Sequence, residues 1–117
     1  MEEYKNLKTH FVGKRWWARR LFDFVNNKIE ALGSDVKMSV TKAYIGFSRS
    51  RCFATIYVCT PHIKIEFAAD EGLHSERLYL IESWRWNGWI NRGVKLKSIE
   101  DVDQQILKWL KEAYERS

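Results

Sequence analysis

Residues 40–67 read VTKAYIGFSRSRCFATIYVCTPHIKIEF, and this stretch decides the fold. Ile63, Ile65 and Phe67 alternate with His62, Lys64 and Glu66, the period-two pattern of a strand with one buried face. "CFATIYVC" upstream is rich in β-branched and aromatic residues. Thr60-Pro61 separates these two runs, and Ser48–Arg51 ("SRSR") separates "CFATIYVC" from "KAYIGF". Connections this short join antiparallel neighbours, so a meander is expected. Val36, Met38 and Val40 alternate with Lys37, Ser39 and Thr41 and add a strand before it.

Downstream, "ADEGLHSE" is a polar loop and "RLYLIESW" reads as a strand. Asn87-Gly88 is a strong turn dipeptide, because a two-residue hairpin loop needs positive φ at both positions. "GVKLKS" reads as the last strand. Helices bracket the sheet. Trp17, Leu21, Phe24, Val25 and Leu32 form a stripe within a helix over Arg15–Leu32, with Gly33 as its left-handed C-terminal cap. Trp16 projects away from that stripe, on the side of Arg20, where Phe11 could cover it. A second helix is expected over Ile99–Arg116, capped by Ser98, with Ile99, Val102, Ile106, Trp109, Leu110 and Ala113 inward. The expected fold is α+β: one antiparallel sheet of about five strands, with an N-terminal and a C-terminal helix on one face.

Composition bounds the function. The chain has 117 residues, 45% of them hydrophobic and 15% aromatic, enough for one domain (1–117) with a real core. No apolar run approaches the ~18 residues of a membrane span, and MEEYKNLKTH lacks the apolar segment of a signal peptide. Cys52 and Cys59 would sit roughly 23 Å apart in one strand, too far for a disulfide. Free thiols fit a reducing compartment, so a cytoplasmic protein is expected. The net charge of +5 permits an anionic partner without requiring one.

The order of elements and their wording resemble a prokaryotic family described as domain of unknown function 5655. The resemblance rests on Lys42, Tyr44 and Ile45, on Cys52 and Phe53, and on His62, Ile63 and Lys64. It continues through a Gly-led strand (Gly93–Lys97), a Ser-x-Glu-Asp helix start at Ser98 and a closing Ala-Tyr-Glu at Ala113. It covers residues 15–117 and carries no catalytic signature, so what it implies is a fold. Between His74 and Arg92 the chain is longer and richer in tryptophan than the family pattern.

Alternation places Tyr44, Phe53, Thr55, Tyr57, His62, Lys64 and Glu66 on the sheet face opposite Ile45, Ile56, Val58, Ile63 and Ile65. Lys42, Arg49 and Arg51 lie at its margin. Rings interleaved with cations are how open sheets hold single-stranded nucleic acid, with bases stacked and phosphates neutralised. "SWRWNGW" (residues 83–89) adds Arg85 and Trp86, and Arg92 follows. These rings could instead form a second small core, and a solvated triple-Trp turn would be an aggregation hazard.

Other chemistries find weaker support. "RCFATIYV" shadows an RNA-recognition-motif signature at Arg51, Phe53, Ala54 and Ile56, but the βαββαβ order is missing. Asp35-Val36-Lys37 ends like a nuclease motif without a strand-borne partner acid. Cys59 and His62 match no zinc spacing, and a Cys–His nucleophile would also need an orienting group. No cofactor, metal or catalytic set is expected. The reading is a non-catalytic binding module whose aromatic and basic face takes an anionic ligand, with nucleic acid favoured. The alternative is a protein-interaction or homodimerisation domain anchored by residues 84–89. Behind both stands an enzyme of unrecognised chemistry.

Overall fold

The computed structural model describes residues 7–15, 17–82 and 86–117, the side chain of Lys14 excepted. The expectations for Trp16, Trp84 and Arg85 fall outside these residues. Six strands form one antiparallel sheet: β1 (Lys37–Val40), β2 (Ile45–Ser48), β3 (Cys52–Val58), β4 (Ile63–Phe67), β5 (Tyr79–Leu80) and β6 (Arg92–Leu96). Two α-helices, α1 (Ala18–Glu30) and α2 (Gln104–Arg116), bracket it, giving an α+β fold.

The meander holds from β1 to β4, but the spatial order is β1-β2-β3-β4-β6-β5. After β4 the chain passes to the sheet edge, runs through the two-residue β5, then turns back so that β6 fits between β4 and β5. The register pairs Ile63 with Leu96 and Ile65 with Val94, so the aliphatic rows of β4 continue into β6. That apolar match gives the longer strand the interior position and leaves the short one at the edge, where unpaired backbone is least of a liability.

The first helix starts later than the apolar stripe suggests, because Gly13–Arg15 form a 3₁₀ turn. Its buried residues are Ala18, Leu21, Phe22, Val25 and Ile29, while Trp17, Phe24 and Leu32 are half-buried. The buried face is therefore rotated from the expected one. The cause is the N-terminal segment, whose Phe11 ring packs 5.3 Å from that of Phe22. Gly33 is not a left-handed cap: the helix ends on Ala31 in right-handed geometry, with its amide on the Asn27 carbonyl. Gly33 is needed for another reason, since a β-carbon there would collide with the Tyr114 hydroxyl.

The last helix also starts later than expected. Residues Ile99–Asp101 form a separate 3₁₀ turn, and the Asp101 carboxylate accepts from the amides of Lys97 (2.8 Å) and Ser98 (3.2 Å). Asp103 then caps α2 by accepting from the Ile106 amide at 3.2 Å. The expected stripe is present in Ile106, Trp109, Leu110 and Ala113. Trp109 stacks on Phe67 with centroids 6.2 Å apart.

The core lies between the helices and the sheet face carrying Ile45, Phe47, Ile56, Ile63, Ile65, Val94 and Leu96. Leu21 is only 3% exposed within it. Leu21→Ala is expected to cost about 2–5 kcal/mol in urea unfolding, the range for deleting a packed leucine. A loss below about 1 kcal/mol would contradict this packing.

Candidate ligand-binding sheet face

The second face of the sheet is built from three local features. First, register aligns Gly46, Thr55, Glu66, Gly93 and Tyr79 in one row across five strands. The glycines of this row, Gly46 and Gly93, let tyrosines lie flat on the sheet. A β-carbon at Gly93 would run into the Tyr79 ring, and one at Gly46 would press on Tyr44. Tyr79 thereby reaches Glu66, donating to Oε2 at 2.8 Å. Burial, then the Glu66 carboxylate, pushes the Tyr79 phenol far above its ordinary range. Thr55, next to Gly46 in the row, is fully buried, and among the described residues its hydroxyl has no hydrogen-bond partner.

Second, the Asn87-Gly88 turn forms as its sequence demands, with φ of 50° and 81° and the Trp89 amide on the Trp86 carbonyl at 2.9 Å. It does not directly join two paired strands. It closes a loop that returns over β2 and β3. The Trp89 indole N–H donates to the Cys52 carbonyl at 2.6 Å, and the Arg51 guanidinium lies 3.6 Å from the ring centroid. Trp86 packs on Tyr44 (6.0 Å between centroids), and Tyr44 packs on Tyr57 (5.7 Å). Trp89 is thus tied down by its polar edge, whereas Trp86 extends the tyrosine run.

Third, cations gather beside this run. Lys64 lies 5.2 Å above the Tyr57 ring and pairs directly across strands with Lys95. Like charges directly opposite on a sheet repel. His62 is half-buried, and its pKa is lowered below 6.5 by partial burial and then by Lys95, Lys64 and Lys97. Among the described residues, none of these three lysines forms an ion pair. Lysines held this close together form an electrostatic seat for an anion.

The sequence candidates divide accordingly. Tyr44, Tyr57, His62, Lys64 and Trp86 come together on this face. Lys42, exposed in the β1–β2 turn, and Arg51 border it. Arg85 lies outside the described residues. Arg49 is committed elsewhere, bonded to Asp35 (2.9 Å) and lying over the Tyr114 ring (4.6 Å). Tyr114 also donates to Asp35 at 2.7 Å, so the acid of the Asp-x-Lys motif serves a clasp between α2 and the sheet edge. That phenol first, and Arg49 with it, hold the Asp35 carboxyl below its ordinary range.

Phe53 is on the opposite side from the one expected. Register slips between Phe47 and Ser48, and Ser48 pairs with Cys52. The bulge leaves Phe53 as the extra residue and turns it towards the helices, where it is fully buried with its ring 5.7 Å from Tyr114. Arg92 is also inward, at 7% exposure. Its guanidinium donates to the carbonyls of Glu71 (3.0 Å), Leu73 (3.1 Å) and Asn91 (3.1 Å), which staples the loop after β4. Lys95 and Lys97 were missed. The signal was present in "GVKLKS", where alternation with Val94 and Leu96 puts both lysines outward. Their meeting with Lys64 needs the β4–β6 pairing as well.

The remaining chemistry is sparse. Cys52 and Cys59 are unpaired thiols near the two ends of β3. The Cys59 and His62 backbones pair at 2.9 Å, while the Cys59 sulfur lies 3.9 Å from the Tyr57 carbonyl. No group of three or more His, Cys, Asp or Glu side chains among the described residues is arranged to hold a metal ion. No described helix is long and apolar enough to cross a membrane.

No curated protein matches the chain, and no solved structure does. A family model described as a domain of unknown function matches residues 7–117, essentially from end to end. With the Lys42–Tyr44 and His62–Lys64 stretches on either side of β3 and the Ala-Tyr-Glu helix end clasped to Asp35, the chain belongs to the DUF5655 family.

Proposed function

We propose that the second sheet face binds an anionic ligand without catalysing its conversion, and that this ligand is single-stranded nucleic acid. The observation that carries the proposal is the cation cluster of Lys64, Lys95 and Lys97, with His62 among them, beside the tilted, packed run of Tyr57, Tyr44 and Trp86. Phosphates would meet the lysines, and bases would stack on the exposed parts of the rings, a combination that tolerates any sequence. A bound phosphate would also relieve the Lys64–Lys95 repulsion and favour protonation of His62. The unpaired thiols support a cytoplasmic setting.

The test is a titration with single-stranded oligonucleotides from about 50 mM salt upward. Affinity should fall linearly on a log–log plot of binding constant against salt. Lys64→Glu/Lys95→Glu/Lys97→Glu should flatten that slope by about 2, since each phosphate that a lysine neutralises on a single strand adds ~0.7 to it. An absence of binding to the wild-type chain at the lowest salt would remove the proposal.

Trp86 separates this reading from its alternatives, because it touches both Tyr44 and the edge of the core. Trp86→Ala should weaken oligonucleotide binding by about 1–3 kcal/mol, the value of one stacked base, with little change in unfolding. If residues 84–89 anchor a homodimer, the same variant shifts sedimentation towards monomer and leaves nucleic acid unaffected. If Trp86 is core, unfolding shows a loss of about 3–5 kcal/mol instead.

A further inference from the structure

A second site lies on the other side of the molecule, between the helices. The cleft between the end of α1 and the first two turns of α2 has a volume of about 360 Å³. Ile29, Leu32, Leu107 and Leu110 form its apolar walls. Among the described residues no aromatic ring and no carboxylate lines it, and its rim carries Lys28, Lys108 and Lys111. Leu32 and Leu107 pack against the core but are only half-buried, so part of their aliphatic surface faces the cleft.

The charges differ between the two flanks of α2. The larger cavity on its other flank, about 700 Å³, combines Asp70, Glu112 and Glu115 with Lys108 and Arg116, and the Asp70–Arg116 ion pair (3.1 Å) lies at that cavity. Opposite charges there compensate each other. Lys108 lines both, whereas Lys28 and Lys111 line the α1–α2 cleft alone, and none of the three lysines forms an ion pair among the described residues.

We propose that this cleft binds the anion of a medium-chain aliphatic carboxylic acid, with its chain between Leu32 and Leu107 and its carboxylate held by Lys108 and Lys111. The size lies within the range of small-molecule sites, which are mostly apolar with few orienting polar groups. Residues 104–111 of α2 line the cleft over about 10 Å at 1.5 Å rise per residue, a length that suits a short acyl chain. Walls without rings favour an aliphatic chain over a planar ligand. Lysine stems extend the apolar wall while their ammonium groups stay at the rim, which places the positive charge where the head group emerges. A neutral head group would gain nothing from that rim.

The experiment is a ¹H–¹⁵N correlation titration of the full chain with octanoate below its micellar concentration, paralleled by n-octanol. Octanoate should produce saturable shifts centred on Ile29, Leu32, Leu107 and Lys111, and n-octanol should bind roughly tenfold more weakly or not at all. Lys108→Glu/Lys111→Glu should weaken octanoate by about tenfold and leave n-octanol unchanged. Leu107→Gln should weaken both, which separates loss of the wall from loss of the charge. Equal affinity for the two ligands, shifts that do not saturate, or shifts centred on Tyr44 and Lys64 would each overturn the proposal.

Discussion

Phe53→Ala is expected to destabilise the protein by about 3–5 kcal/mol, the usual cost of emptying a phenylalanine site in a packed core. The ring has no exposed surface and lies edge-on to Tyr114 of α2. Its removal should therefore leave a void between β3 and the C-terminal helix, beside the ring whose hydroxyl bonds Asp35. Chemical unfolding monitored by far-ultraviolet circular dichroism gives the number. If Phe53 instead lay on the ligand face, the variant would unfold like the wild type and lose oligonucleotide affinity. A measured loss under about 1 kcal/mol would therefore refute the inward placement made by the β-bulge.

The second large effect belongs to Arg92. Its guanidinium serves the carbonyls of Glu71 and Leu73, and replacement by methionine preserves bulk while leaving both without a donor. An orphaned buried acceptor costs ~1–3 kcal/mol; Glu71 is exposed and Leu73 half-buried, so water replaces part of the loss and a total of about 1–3 kcal/mol is expected. Arg92→Lys should recover little of this, because one ammonium cannot reproduce the planar fork. Amide hydrogen exchange should locate the damage in residues 69–78, the loop also held by the Asn91 side chain through Ala69. Oligonucleotide affinity of the folded fraction should not change. An Arg92→Met variant of wild-type stability with weakened nucleic-acid binding would return this arginine to the ligand face.

The two arginines of "SRSR" show the same division at smaller scale. Arg51 lies over Trp89 and borders the candidate face, whereas Arg49, two residues away, turns to Asp35 and Tyr114. Nothing in the local wording separates them. What separates them is the position of Tyr114, which arrives from the far end of the chain.

Much of the architecture was legible in the residues alone. Alternation in "HIKIEF" and the neighbouring runs gave β3, β4 and the meander, because a strand with one buried face must repeat every second residue. The stripe Ile106, Trp109, Leu110, Ala113 gave the C-terminal helix on the same logic at a period of 3.6. Tyr44, Tyr57, His62 and Lys64 were placed on one face because each lies in a segment whose alternation is unbroken. Tertiary structure alone decided the rest. A single bulged residue reverses parity, so Phe53 left the ligand face for the core although its surrounding sequence alternates. Strand pairing is non-local, so only the insertion of β6 beside β4 brought Lys95 and Lys97 to Lys64. Burial of Arg92 depended on the loop after β4 offering carbonyls to a guanidinium, a match of shape and hydrogen bonding that no period in the sequence encodes.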